Sequence, residues 1–182
     1  MPSDKNRTWD ELNGALDHIA AAPKDNAPID ILCFRPSFGE RDFRDEISVT
    51  PEAGIEGERF LKTPWMRLED GSPDPRIQIS ILPKRVFDFV VGDRLHPGDT
   101  MIADLDTSEA NLPVGQRLAI GTAEVEVTDL FNDGCVKWKV RYGADAKDWL
   151  VTPEHIPLRL RGVLCRVTRA GVISKTDIIR KV

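Results

Sequence analysis

Apolar residues in this chain come in short runs divided by glycine, proline and other turn-forming residues, and few runs are long enough for a helix. Segments 29–35, 42–49, 77–82, 100–105, 117–120, 123–128, 158–161, 163–168 and 172–174 have strand length and strand composition. Glu124-Val125-Glu126-Val127 alternates as a half-buried strand does. A chain of many short strands with glycine turns buries its apolar faces in a barrel or a distorted sandwich. The expected class is therefore mainly β within a mixed α+β fold.

Helical spacing is confined to a few places. In 8–22, Trp9, Leu12, Leu16, Ile19 and Ala20 recur at helical intervals; Thr8 with Glu11 forms a capping box, and Pro23 ends the run. This predicts an N-terminal helical extension over 1–28, followed by one domain over 29–182. Short helices are expected at 84–91 and at roughly 135–150. Segment 51–76, dense in proline and glycine, reads as a long irregular loop.

The chain has 182 residues, enough for one domain with a core. Its 25 Lys plus Arg are outnumbered by 30 Asp plus Glu, for a net charge of −5. That balance argues against a nucleic-acid partner, whose basic footprint would dominate. No apolar run approaches the 18 or so residues of a membrane span. The first seven residues lead into no apolar stretch of signal-peptide type, so the expected compartment is the cytoplasm.

The three cysteines form neither a metal-ligand spacing nor a disulfide framework. Cys33 and Cys165 share strand parity with apolar neighbours and read as buried residues. Cys135 differs, because Asn132-Asp133-Gly134 runs into a helix beginning near it. If Asn132 or Asp133 caps that helix, Cys135 lies in the first turn, where unpaired N–H groups favour a thiolate. Lys137 and Arg141, spaced i,i+4, share a helical face with Lys137 near the sulfur, whereas Trp138 and Tyr142 read as core. Cys135 is thus a candidate nucleophile or metal ligand, or else a small residue at a crowded helix entry.

Arg159 and Arg161 alternate with Leu158 and Leu160, which on a strand puts both guanidinium groups on one face, suited to a phosphate or to local acids. Arg59, in a glycine-punctuated loop, and Arg76 are further anion-binding candidates. Asn111 and Glu109 fit capping and turn roles as well as binding ones. His18, His96 and His155 lack metal spacing, and His155 is a candidate partner for Cys135. The sequence has no nucleophile-elbow serine, phosphate-binding loop or Rossmann fingerprint.

Four blocks resemble the MOSC domain, the C-terminal module of molybdenum-cofactor sulfurases that also occurs as small stand-alone proteins. They are Gly54-Ile55-Glu56-Gly57-Glu58-Arg59, residues 104–121, Gly134-Cys135-Val136-Lys137-Trp138 with the following 141–146, and Leu158-Arg159-Leu160-Arg161-Gly162-Val163. The resemblance spans roughly 47–182. It implies a MOSC-type β-barrel with a few peripheral helices, to which this chain adds its N-terminal helix. It also implies a molybdenum cofactor of molybdopterin type, with Cys135 carrying sulfur or ligating molybdenum through the cofactor. Arg59, Arg76, Asn111, Lys137, Arg141, Arg159 and Arg161 are the implied cofactor-binding residues. Pyridoxal phosphate is associated with full-length sulfurases through a separate domain, and no residue here singles out a Schiff-base lysine. Many stand-alone relatives have a histidine three residues before the cysteine; this chain has Asn132.

Two function classes fit these residues. One is a sulfur-transfer protein or molybdenum oxidoreductase, for example one reducing N-hydroxylated compounds, served by a redox or sulfur-donor protein. The other is a non-catalytic module of the same fold that binds a small anionic ligand, a cofactor or a protein.

Overall fold

The computed structural model describes residues 5–182, so the first four residues of the N-terminal extension lie outside the described residues. Its strands are β1 (Ala27–Phe34), β2 (Asp42–Phe43), β3 (Glu46–Thr50), β4 (Gly54–Ile55), β5 (Ile79–Pro83) and β6 (Met101–Ala103). They continue with β7 (Arg117–Ile120), β8 (Ala123–Val127), β9 (Val163–Arg169), β10 (Gly171–Ser174) and β11 (Ile178–Lys181). Seven of them close into a barrel in the order β1-β11-β7-β8-β9-β5-β6 and back to β1. Closure depends on β11, a strand that the sequence pattern did not single out, pairing Ala27 with Ile179. Every seam is antiparallel except β5–β6, where Ile81 faces Met101. β10, β3 and β4 form a separate three-stranded sheet. The fold is thus mixed α+β and mainly strand, in agreement with the expected MOSC-type barrel.

The expected strand over 42–49 divides in two. Its first residues join β1, with Cys33 opposite Phe43, whereas β3 turns away to pair with β10, Ile47 opposite Ile173. The alternation of β8 also misleads: Glu124 is buried, because Arg117 and Thr168 reach it from the neighbouring strands. Only Glu126 behaves as a rim residue, paired with Arg166 at 2.8 Å.

The barrel interior is filled by aliphatic residues, including Ile79, Ile81, Met101, Val125 and Cys165. A second core lies outside it, where helices cover the β5–β6 face. These are α1 (Trp9–Gly14), α2 (Leu16–Ala20), α3 (Lys84–Val86) continuing as a π-helical turn (Phe87–Val91), α4 (Val136–Tyr142) and α5 (Ala144–Val151). The Thr8–Glu11 capping box forms as expected, while the expected helix over 8–22 is divided at Ala15. The expected 135–150 helix is likewise two helices, broken at Gly143 with φ 105°. Trp138 and Tyr142 pack edge to face with centroids 4.6 Å apart in this second core.

The expected strand over 158–161 does not form. Pro157 lies in a 3-10 turn (Ile156–Leu158), and Arg159 caps it in the left-handed region at φ 45°. The Leu-Arg-Leu-Arg alternation is therefore folded round a turn, and Arg159 and Arg161 diverge. Arg159 donates to the Leu112 carbonyl at 2.6 Å, whereas Arg161 pairs with Asp99 at 2.8 Å.

His96 is buried against Phe43 and Phe87, and its Nδ1 accepts from the Gly98 N–H at 3.0 Å. Burial pushes its pKa down from 6.5 to about 4. A base with a depressed folded pKa is protonated first in the unfolded chain, so acid favours unfolding. Its contribution is whole above pH ~6.5 and declines as pH falls towards about 4, a loss of a few kcal/mol. Urea unfolding at pH 7 and pH 4.5 should show this drop, and His96→Phe should flatten it. Equal slopes for the variant and the wild type would remove His96 from the account.

Candidate functional site

A cleft of ≈ 460 Å³ opens between the β1–β2 turn, the start of α4 and the loop before β5. Arg35, Arg41, Arg59, Lys137, Arg141 and Arg161 line it, against three acidic residues, Glu40, Asp99 and Asp133. The cleft is therefore cationic in a chain of net charge −5.

The six cations fall into two groups. Arg35 is held bidentately by Glu58, Nε to Oε1 at 2.7 Å and Nη2 to Oε2 at 3.0 Å. Arg161 is held by Asp99 and stacks over Trp138, 4.6 Å from the ring centroid. These two are fixed walls. Among the described residues, Arg41, Arg59, Lys137 and Arg141 form no ion pair with a carboxylate. Burial, then the like charge of Arg141, hold the Arg41 guanidinium below its ordinary pKa. Burial and then Arg35 do the same to Arg59. Crowded cations without counter-charges form a site of positive potential for an anion.

Cys135 is exposed and lines the same cleft, whereas Cys33 and Cys165 are buried, with thiols pushed up by burial to about 11 and about 12. The local capping differs from expectation, because the N-cap position of α4 is Cys135 itself. The Asn132 side chain accepts from the Gly134 N–H at 3.4 Å and donates to the Arg161 carbonyl at 3.3 Å. Gly134 sits at φ 72°, where a Cβ would stand 3.0 Å from Leu150, so the turn into the helix calls for glycine. Beneath it Lys147 donates to the carbonyls of Asp133 and Gly134.

Five of the sequence-derived candidates line the cleft together: Cys135, Arg59, Lys137, Arg141 and Arg161. Three lie elsewhere. Arg76 is gripped by Asp74 (2.6 Å) and Asp129 (3.4 Å). Asn111 donates to the Lys24 and Asp106 carbonyls and accepts from Lys181, tying the C-terminal strand to the loop before β7. Arg159 is engaged with Leu112 and lies 3.8 Å from Glu109. His155 does not pair with Cys135; it is buried between Trp9 and Trp149, with Nδ1 2.7 Å from the Trp149 carbonyl. Sequence reasoning missed Arg35, Arg41, Phe38 and Trp65, all of which line the cleft. Arg35-Pro36-Ser37-Phe38-Gly39-Glu40-Arg41 held a signal, two arginines flanking an aromatic turn, but it read as a plain strand connection.

Among the described residues no group of three or more His, Cys, Asp or Glu is placed to hold a metal ion, and no helix is long and apolar enough to cross a membrane. No family model matches the chain, and no curated protein matches it in sequence. Solved structures do match in fold. The YuaD protein from Bacillus subtilis superposes with a TM-score of 0.61 at 19% identity, over 84% of this chain and 93% of its own. YiiM from Escherichia coli gives 0.57 at 17% identity, over 85% and 69%. YiiM from Geobacillus stearothermophilus gives 0.55 at 16%, over 86% and 75%. YuaD and YiiM are MOSC-family proteins, and at these identities what this chain shares with them is the barrel fold.

Proposed function

We propose that this chain is a MOSC-fold protein that holds a molybdenum-cofactor-type ligand in the cationic cleft, with Cys135 at its reacting end. The observation that carries this reading is that one exposed cysteine and four cations without carboxylate partners line a single cleft. The residues suit such a group. A volume of ≈ 460 Å³ lies within the usual range for small-ligand sites, and the charge suits a phosphate-bearing ligand. Arg41, Arg59, Lys137 and Arg141 would hold the anionic part. Arg35 and Arg161, already paired, would keep the walls in place. Cys135 must lose its Sγ proton before it can carry sulfur or ligate a metal. The chemistry such a group supplies is redox at molybdenum or a terminal sulfur for transfer, of which reduction of N-hydroxylated compounds is one form.

One observation favours a non-catalytic alternative. Asn132, where many relatives carry histidine, is engaged with Gly134 and Arg161 and offers no base beside Cys135. The two readings separate on Cys135→Ser, which a binding module tolerates.

The test is to express the chain in a cofactor-producing host and measure molybdenum and pterin per protein. Wild-type protein should retain both, and a Lys137→Ala/Arg141→Ala variant should retain tenfold less or lower, as expected from losing two charge-assisted contacts. Wild-type protein free of molybdenum and pterin would overturn the cofactor reading.

A further inference from the structure

Phe38 is 70% exposed at the tip of the β1–β2 turn, an unusual place for a phenylalanine. Its ring is flanked by two cations from different walls of the cleft. Lys137 Nζ stands 3.7 Å from the ring centroid and Arg59 Cζ stands 5.8 Å from it. Neither cation is ion-paired with a carboxylate among the described residues, and the Arg59 guanidinium donates to the Thr63 carbonyl at 3.1 Å. An aromatic face carries partial negative charge, so the ring serves both cations as a weak counter-ion. Glu40, two residues away in the same turn, forms no ion pair with them. The turn has open space beside it: nothing lies within 4 Å of where a Gly39 Cβ would be. Its base is tied down, because Arg41 donates to the carbonyls of Gly39 (2.8 Å) and His96 (2.5 Å).

We infer that Phe38 is an aromatic gate that occupies the anion position of the cleft, holding Lys137 and Arg59 until an anionic ligand displaces it. The inference rests on the reading of the cleft as an anion site and adds a residue that sets its affinity. A phosphate oxygen accepts charge-assisted hydrogen bonds from both cations, and these are stronger than the contacts with an exposed ring. The ring therefore yields to a phosphate-bearing ligand while discriminating against weaker anions. It acts through Lys137 and Arg59 and is a positioning residue.

Inorganic pyrophosphate is a suitable probe, since it has no ring with which Phe38 could stack. Its affinity is measured by calorimetry for the wild type, Phe38→Ala, Phe38→Leu and Phe38→Tyr. Alanine and leucine should bind about three- to tenfold more tightly, and tyrosine, which keeps the ring face, should match the wild type. Adding Lys137→Ala to Phe38→Ala should remove the gain. If pyrophosphate binds the wild type and neither alanine nor leucine tightens it, the gate is overturned and the anion cleft stands. A leucine variant equal to wild type beside a tighter alanine variant would show that bulk occupies the position and would overturn the cation–π account. If no form binds pyrophosphate, the anion cleft falls and the gate with it.

Discussion

Gly162→Ala will lower the melting temperature by about 10 °C or more, or leave the chain insoluble. Gly162 sits at φ 85° at the entry to β9, and a Cβ there would stand 1.9 Å from the Ile81 carbonyl oxygen and 2.9 Å from its carbon. Those atoms belong to β5, which pairs with β9 and with β6 in the barrel wall. The obstacle is therefore backbone already fixed by two ladders, and a side chain cannot swing aside to relieve it. A left-handed alanine costs ~1 kcal/mol or more on its own, and forcing two paired strands apart brings the total to about 3–5 kcal/mol. For a chain of this size each kcal/mol moves the midpoint by ~2–4 °C. Gly115→Ala is the matched control. It has nearly the same φ, 86°, but nothing within 4 Å of its Cβ, so only the conformational cost of about 1 kcal/mol remains. Equal melting of the two variants would show that the Ile81 contact is not what makes position 162 intolerant.

The second large effect is expected at Glu58. Its side chain is 1% exposed and accepts three hydrogen bonds from Arg35, two from the guanidinium and one from the backbone N–H at 3.1 Å. Glu58→Ala leaves Arg35, whose side chain is only 17% exposed, without its counter-ion. Removing one partner of a buried pair typically costs about 3–5 kcal/mol, because the remaining charge is uncompensated. Removing both is often close to neutral, so Glu58→Ala combined with Arg35→Met should recover most of the loss. Denaturant unfolding of the two single variants and the double variant closes the cycle. A double variant as unstable as Glu58→Ala would mean that packing around Glu58, and not the stranded Arg35 charge, is responsible. The pair also shapes the cleft, because Glu58 neutralises the Arg35 charge in its wall and leaves Arg41, Arg59, Lys137 and Arg141 as the lining cations without a carboxylate partner.

The resemblance placed Glu58 and Arg59 in one block, and the structure gives these neighbours opposite duties: Glu58 turns inward to Arg35, while Arg59 lines the cleft. Arg159 and Arg161 repeat the pattern. Both looked like ligands on a strand, yet a left-handed residue between Pro157 and Gly162 sends one to Leu112 and the other to Asp99. A period of two in the residues is necessary for a strand face but not sufficient, since proline and glycine at its borders can fold it into a turn. Asn111 had turn and capping roles open to it beside a binding one, and its amide donates to the Lys24 and Asp106 carbonyls, whereas Arg76, an anion-binding candidate in the sequence, is paired with Asp74 and Asp129.

What the amino-acid order determined alone is local. Short apolar runs and glycine turns set the mainly β class, the Thr8–Glu11 box set the start of α1, and Lys137 and Arg141 came to one side of α4 through helical spacing. Strand parity marked Cys33 and Cys165 as buried, leaving Cys135 as the exposed thiol. Closure of the barrel by β11, the departure of β3 into a second sheet and the meeting of the β1–β2 turn with α4 were decided only by the tertiary structure. Each joins residues far apart in the chain, and such pairings follow from which apolar faces and hydrogen-bonding edges remain to be covered once the local elements exist. The cationic cleft has the same origin, since its arginines come from separate segments and its charge is invisible in a sequence whose total is negative.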